Sequence, residues 1–239
     1  MYTKNKFFLW HLSASILIGL LSAYIVFFIW YPAPLAKAIG VTHLFGLLLI
    51  IDVILGPLLG WIVYKESKKT LRFDLSIIIL VQIIAYSYGM YSVAQGRPLW
   101  IVYSQYHFDV VQSKQIDELD RAKAAQQYRE RSLLGVQYVA LKDDESYKKN
   151  DVDYQRRGWT SYPANYTKLS LVQLRMAKMA FDLKYLNQTN DPQQVAKVLK
   201  QHPSADGWFP LKAPMSDMVV LVDKTKGEVV EIANLKPLR

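Results

Sequence analysis

Residues Leu44–Val63, LFGLLLIIDVILGPLLGWIV, form a nearly unbroken apolar run in this chain of 239 residues. Fourteen of its residues are Leu, Ile, Val or Phe, and its one charged residue is Asp52. As an α-helix it spans ~30 Å, the thickness of the hydrocarbon core of a bilayer. An aspartate at mid-membrane costs about 2.5–3.5 kcal/mol, whereas the apolar residues contribute roughly 4–8 kcal/mol. The stretch is therefore predicted to be a transmembrane helix.

Two further apolar stretches flank it, Phe7–Ile29 and Leu75–Val93. The first could be a cleaved signal peptide, but Leu21-Ser22-Ala23 is a poor cleavage site and the apolar run continues to Trp30. The last has tyrosines crowded in its later half, which suits a membrane–water interface. Three transmembrane helices are predicted, at about 7–29, 44–63 and 75–93.

Basic residues near the ends of these stretches predict the orientation of the chain. One side would carry six of them, namely Lys4, Lys6, Lys65, Lys68, Lys69 and Arg72, and the other side two, Lys37 and Arg97. The positive-inside rule then places the N-terminus in the cytoplasm. Three crossings leave residues 97–239 on the far side, so we expect an inner-membrane protein with a periplasmic C-terminal domain.

Composition excludes several chemistries. The chain has no cysteine, which excludes disulfides, thiol nucleophiles and cysteine-ligated metals. Its four histidines are scattered, and it has no phosphate-binding glycine loop, zinc-protease helix or nucleophile elbow. We therefore expect no cofactor, no metal and no enzymatic activity.

Residues 97–239 have the composition of an ordinary polar domain, with 22 Lys and Arg against 17 Asp and Glu. A basic surface can bind nucleic acid, but the expected topology and the lack of a recognition motif oppose that; proximity to an anionic leaflet is the simpler interpretation. Strands are predicted at 100–103, 108–111, 136–141, 218–222 and 228–232, helices at 115–131, 169–186 and 192–201, and loop over most of 144–166. The last helix begins after a capping Asp191, and Gly227 forms the turn of the last hairpin.

The fold class is thus a membrane protein in which three N-terminal transmembrane helices precede a small α+β extracytoplasmic domain. The predicted domains are 1–96 in the membrane and 97–239 in the periplasm. We expect residues from about 98 onward to fold alone.

Small and polar residues recur at helical spacing in the second and third stretches. In the second, Asp52, Gly56 and Gly60 lie on one face, and Pro57 leaves a backbone carbonyl without its helical donor. In the third, the residues sharing a face are Gln82, Ala85 and Gly89.

Three interpretations of these faces are open. A hydrogen bond between the Asp52 and Gln82 side chains could hold the two helices together, or the small-residue groove could receive the transmembrane helix of a partner. An ion or proton path is weaker, because it would rely on a single carboxylate without a second relay group.

These segments also resemble the TfpX/TfpZ type IV pilin accessory proteins. The resemblance rests on Tyr31-Pro-Ala-Pro-Leu-Ala-Lys, Asp52-Val-Ile-Leu-Gly-Pro-Leu-Leu59, Asp74-Leu75 with Gln82 and Tyr88-Gly89, Arg97-Pro98, and Val222-Asp223 with Gly227-Glu-Val-Val. It does not extend over 144–210. It implies a non-enzymatic, chaperone-like inner-membrane protein that binds the major type IV pilin and supports its stability and pilus assembly. Before assembly, a pilin is anchored in the membrane by one N-terminal helix and has a soluble head outside it. The membrane domain and the periplasmic domain of this chain could therefore both contact a pilin.

Two other functions compete with this one. The C-terminal domain could be a periplasmic sensor that acts through a partner, since the chain has no recognisable output domain. The chain could also be an enzyme that modifies pilin, although it has no nucleotide, lipid-phosphate or protease motif to support this.

Overall fold

The computed structural model describes residues 3–116, 118–129, 135–142 and 158–238. The chain forms two compact units: one comprises Met1–Pro32 with Val41–Gly96, the other Ala33–Gly40 with Arg97–Arg239. The sequence predicts domains at 1–96 and 97–239; the structure groups the short segment Ala33–Gly40 with the second unit.

Three long helices make up the first unit: α1 (Lys4–Trp30), α3 (Val41–Val63) and α4 (Leu71–Gly96). Each is long and apolar enough to cross a membrane, as the three predicted stretches require. Most of their large apolar side chains are exposed, as lipid-facing side chains must be. Two of the helices change pitch: the last turn of α1, Ile25–Trp30, and the middle of α3, Ile50–Leu55, are π-helical.

Among the described residues of the second unit, eight strands form a mixed β-sheet with the order β4-β3-β1-β2-β6-β7-β8 and β5 paired to β6. The strands are β1 (Pro98–Ser104), β2 (His107–Gln112), β3 (Gln137–Leu141), β4 (Tyr166–Lys168), β5 (Phe181–Asp182), β6 (Gly207–Lys212), β7 (Met218–Asp223) and β8 (Glu228–Ala233). The pairs β1–β3 and β2–β6 are parallel, and the others are antiparallel. The expected fold class, three membrane helices followed by a sheet domain with helices, is confirmed.

Alternation along the strands divides the core between the two faces of the sheet. On one face, Ile101 and Tyr103 belong to a cluster that includes Met176 of the short helix α7 (Gln173–Met179). On the other face, Trp100 and Val102 belong to a cluster that includes Tyr128 of α6 (Gln126–Arg129), which follows the short, unburied helix α5 (Glu118–Ala122). A third cluster lies beneath α8 (Pro192–Gln201).

Helix α2 (Leu35–Ile39) joins this second unit although it lies between two membrane helices in the chain. Leu35 and Ala38 are buried in the same cluster as Ile101. The Ala38 carbonyl accepts hydrogen bonds from the backbone N–H groups of Met215 (3.0 Å) and Ser216 (3.1 Å). The segment Ala33–Gly40 has eight residues, which carry too little pattern for the sequence to reveal this tertiary contact.

Two predicted helices are wrong in extent. The stretch predicted at 115–131 contains α5 and α6, separated by a turn in which Ala124 is buried, while residues 117, 130 and 131 lie outside the described part. The helix predicted at 169–186 begins as a 3₁₀ turn and ends at Met179, because Phe181 and Asp182 pair with β6. Of the loop predicted at 144–166, the described end from 158 onward consists largely of short 3₁₀ turns.

Strand β6 has no counterpart among the predicted strands because Pro210 interrupts its apolar pattern. The structure accommodates this proline where one edge of β6 changes partner. Residues 207–208 pair with β5 and residues 211–212 with β2, so a missing N–H at 210 is tolerated. The strands β1, β2, β3, β7 and β8, and helix α8 with its Asp191 cap, are confirmed.

Candidate functional site

The π-helical segment of α3 leaves one carbonyl without a backbone donor. Gly56 N–H bonds to Ile51, five residues back, rather than to Asp52. The next residue, Pro57, has no N–H to offer. The Asp52 carbonyl is therefore free, and the Gln82 side chain of α4 donates to it across the helix interface at 2.7 Å.

Gln82 also accepts a hydrogen bond from α1. Its Oε1 lies 3.0 Å from His11 Nε2. Because the Gln82 amide N–H donates to the Asp52 carbonyl, the oxygen end faces His11, which makes His11 Nε2 the donor. One side chain thus ties the three membrane helices together. The predicted link between Asp52 and Gln82 exists, but it uses the Asp52 main chain instead of its carboxylate.

The Asp52 carboxylate is buried and has no hydrogen-bond partner in the described part of the chain. Asp52 is 6% exposed, and both of its carboxylate oxygens lack a hydrogen-bond partner among the described residues. The other ring nitrogen of His11, Nδ1, is likewise buried without a partner there. Since an uncompensated carboxylate in hydrocarbon costs about 2.5–3.5 kcal/mol or more, Asp52 is a candidate functional group.

The glycines of the predicted groove are packed by this chain's own helices. A Cβ at Gly56 would overlap the Gln82 amide, and one at Gly89 would overlap the Leu48 side chain. A Cβ at Gly60 would lie 3.0 Å from the ring of Phe7. The predicted small-residue face therefore permits close helix packing inside the membrane unit.

The remaining residues of the predicted groove do not lie together. Pro57 is buried within the helix bundle, whereas Ala85 is exposed on α4. Of the seven residues predicted to form a groove, Asp52 and Gln82 line the cleft described next, and Gly56 packs behind Gln82.

An open cleft of about 240 Å³ lies between α1 and α4, with α3 beneath it. It is lined by Trp10, His11, Ala14, Ser15, Ile18, Gly19, Leu49, Asp52, Val53, Ile79, Gln82, Ile83 and Tyr86. Its walls are mainly apolar, and rim residues such as Trp10 (62% exposed) and Ile83 (56% exposed) face outward. The cleft is thus accessible from the side of the bundle.

The contribution of α1 to this cleft was missed. His11, Ser15, Gly19 and Ser22 recur at spacings of four, four and three, and all four are buried. Ser22 hydrogen-bonds to Tyr86 of α4. This stripe of polar and small residues in an apolar helix was the signal that could have identified the face.

A larger cavity of about 700 Å³ opens on the sheet of the second unit. Polar side chains line it, among them His107 and Asp109 of β2, whose Nε2 and carboxylate oxygen lie 3.2 Å apart, and Lys212 of β6. Within the described ranges, no three His, Asp or Glu residues cluster closely enough to hold a metal ion.

Comparisons with known proteins find similarity to fimbrial assembly proteins. Residues 1–40 match the family described as fimbrial assembly protein FimB. The chain is 30% identical over 174 residues to the serogroup I fimbrial assembly protein of Dichelobacter nodosus, covering 66% of this chain and 67% of that protein. It is 26% identical over 230 residues to the serogroup E1 protein of the same organism, covering 90% of this chain and 88% of that protein.

A third relative, the D. nodosus fimbrial assembly protein of serogroups C1 and C2, is 37% identical over 116 residues, which cover 47% of this chain and 88% of the relative. The chain belongs to the family of fimbrial assembly proteins. This confirms the resemblance to type IV pilus accessory proteins. No solved structure matches the chain.

Proposed function

We propose that this chain is an inner-membrane accessory protein that binds the major type IV pilin and supports its stability and assembly into pili. Membership of the fimbrial assembly family supports the process. The observation that carries pilin binding is the laterally accessible cleft between α1 and α4. A pilin anchored by a single transmembrane helix can reach such a cleft by diffusion in the bilayer.

In this proposal the N-terminus is cytoplasmic, and the sheet-containing unit is periplasmic. The membrane cleft holds the anchor helix of the pilin. The chain acts without a chemical step, as a chaperone of the membrane-resident subunit.

A cleft-filling variant tests the proposal. Ala14 lines the cleft, whereas Ala85 is exposed on α4 outside it. In a detergent pull-down from native membranes, Ala14→Phe should reduce pilin co-purification severalfold, while Ala85→Phe should leave it unchanged. If both variants are present at wild-type level and recover equal amounts of pilin, the cleft does not bind pilin.

Deletion of the gene distinguishes this proposal from a pilin-modifying enzyme. Without the accessory protein, pilin level or surface pili should fall while the intact mass of the pilin stays the same. A shift in pilin mass on deletion would favour the enzyme.

The second candidate function is a periplasmic sensor, which the 700 Å³ cavity favours. Its volume lies in the range of ~300–1,000 Å³ typical of small-molecule sites, and His107, Asp109 and Lys212 supply polar contacts. A pull-down that enriches a signalling protein and no pilin would support the sensor instead.

A further inference from the structure

Hydrogen-bond acceptors without a partner among the described residues lie buried at the base of the cleft. Gln82, the polar neighbour of Asp52, is already engaged at both ends of its amide, by the Asp52 carbonyl and by His11. The two Asp52 carboxylate oxygens have no partner within the described chain, and Asp52 lines the cleft. A carboxyl group keeps an acceptor oxygen whether it is ionised or protonated, so a hydrogen-bond donor complements it.

The depth of Asp52 restricts what can bring that donor. Asp52 is the midpoint of α3, eleven residues from Val41 and eleven from Val63. At ~1.5 Å per residue it lies ~16 Å from either end of the helix. A lipid headgroup remains at the interface, and acyl chains carry no donor. Apart from water, the donor therefore belongs to a segment that itself crosses the membrane.

The size of the cleft favours side chains over whole small molecules. Its volume of 240 Å³ equals the volume that about eight water molecules occupy in liquid water. This is less than the ~300–1,000 Å³ of typical ligand pockets. Such a volume accommodates one or two side chains of a helix lying across the rim formed by Trp10, Ile18 and Ile83.

We propose that the cleft selects a transmembrane helix carrying a hydrogen-bond donor near the bilayer midplane, with Asp52 as the acceptor. This rests on the proposed function for the identity of the natural partner, and it adds the feature by which that partner is recognised. A purely apolar helix would fill the cleft but leave the carboxylate unpaired. A helix that carries a donor fills the cleft and also pairs with the carboxylate. Asp52 therefore makes the cleft selective for helices with a donor.

Designed peptides test this chemistry without pilin. Two Leu/Ala transmembrane helices that differ only at their central residue, Asn in one and Leu in the other, are titrated into vesicles containing the full chain, and binding is followed by energy transfer. The Asn peptide should bind about three- to thirtyfold more tightly, the range of a single membrane hydrogen bond. In the variant Asp52→Leu the two peptides should bind equally.

Thermal unfolding in detergent separates recognition from a structural role. Since the carboxylate has no partner within the described chain, Asp52→Leu should keep or raise the midpoint of unfolding. Equal binding of both peptides to the wild type, an unchanged difference in Asp52→Leu, or a lowered midpoint would overturn the proposal.

A parallel pilin pull-down keeps the two ideas apart. If the wild type selects the Asn peptide but recovers no pilin, the proposed function fails and Asp52 selectivity stands. If pilin is recovered equally by wild type and Asp52→Leu, and the peptides are not distinguished, selectivity fails and the proposed function stands.

Discussion

At the scale of single residues, Gln82 shows how a π turn and a proline create the need for a tertiary contact. The π segment assigns the Gly56 N–H to Ile51, and Pro57 has no N–H. The Asp52 carbonyl would otherwise be unpaired in hydrocarbon, where an unsatisfied backbone group costs several kcal/mol. Gln82 supplies the missing donor, which fixes the position of α4 against α3.

Gly56 is required because the Gln82 amide occupies the space that a side chain would take. Gly56→Leu should therefore disrupt the membrane unit and lower the amount of protein in the membrane, not only its binding to pilin. Gly46, in the same helix, is the matched control, because nothing lies within 4 Å of a Cβ built there. Immunoblots should show a severalfold lower level for Gly56→Leu than for Gly46→Leu; equal levels would contradict the packing described.

Tyr103 is expected to make the second unit sensitive to alkaline pH. Burial raises the pKa of Tyr103 to about 12, against an opposing effect of Arg175. Its stabilising contribution is therefore present below the unfolded-state pKa of about 10 and is lost as pH rises toward 12. Urea unfolding between pH 9 and 12 should show a steep fall in stability that is shallower in Tyr103→Phe. The same slope in both proteins would show that the phenol titrates normally.

At the scale of elements, the membrane helices could be predicted well because each carries its own signal. A lipid-facing helix needs an apolar run of about 20 residues, and this does not depend on the rest of the chain. Strands β1, β2, β7 and β8 were predictable for a similar reason, since their apolar β-branched runs are bounded by turns. The helix faces that contact each other could not be predicted, because each glycine face could equally have packed against a partner or against a helix of the same chain.

The elements that escaped prediction are those set by tertiary contact. Phe181 and Asp182 continue a helical pattern but form β5, since they pair with β6. Helix α2 has only five residues and is stabilised by the core it enters. The cleft was missed for the same reason: the sequence predicted that Asp52 and Gln82 share a groove, but the wall opposite α4 depends on the packing of α1.

Helix α2 is expected to be part of the folding core of the second unit. Leu35→Ala removes a buried side chain and should cost about 2–5 kcal/mol, whereas Lys37→Ala, at an exposed position of α2, should be neutral. Faster thermolysin cleavage of the second unit in Leu35→Ala than in Lys37→Ala checks this.

Because α2 belongs to this core, we expect residues 98–239 to be less stable alone than together with the segment 33–40. The fragment 97–239 lacks Leu35 and Ala38 and should unfold at a lower urea concentration than the same fragment mixed with a peptide of residues 33–40. Identical transitions with and without the peptide would show that the fragment is complete.

At the scale of the whole molecule, the two chain segments that make up the second unit constrain how the chain crosses the membrane. Ala33–Gly40 lies between α1 and α3, and residues 97–239 follow α4. Because both belong to one compact unit, they must lie on the same side of the membrane. This requires α3 and α4 to cross in opposite directions, as a three-helix topology demands, and it leaves the choice of side to the basic residues.

The six-to-two distribution of basic residues predicts that the common side is the periplasm. The natural absence of cysteine makes single-cysteine variants unambiguous probes. Glu66→Cys lies in the exposed connection between α3 and α4, and Leu119 is 75% exposed in the second unit. A membrane-impermeant maleimide added to spheroplasts should label Leu119→Cys at once and Glu66→Cys only after lysis. Since the two sites lie on opposite sides in either orientation, the reverse labelling pattern would invert the topology and exclude a periplasmic domain.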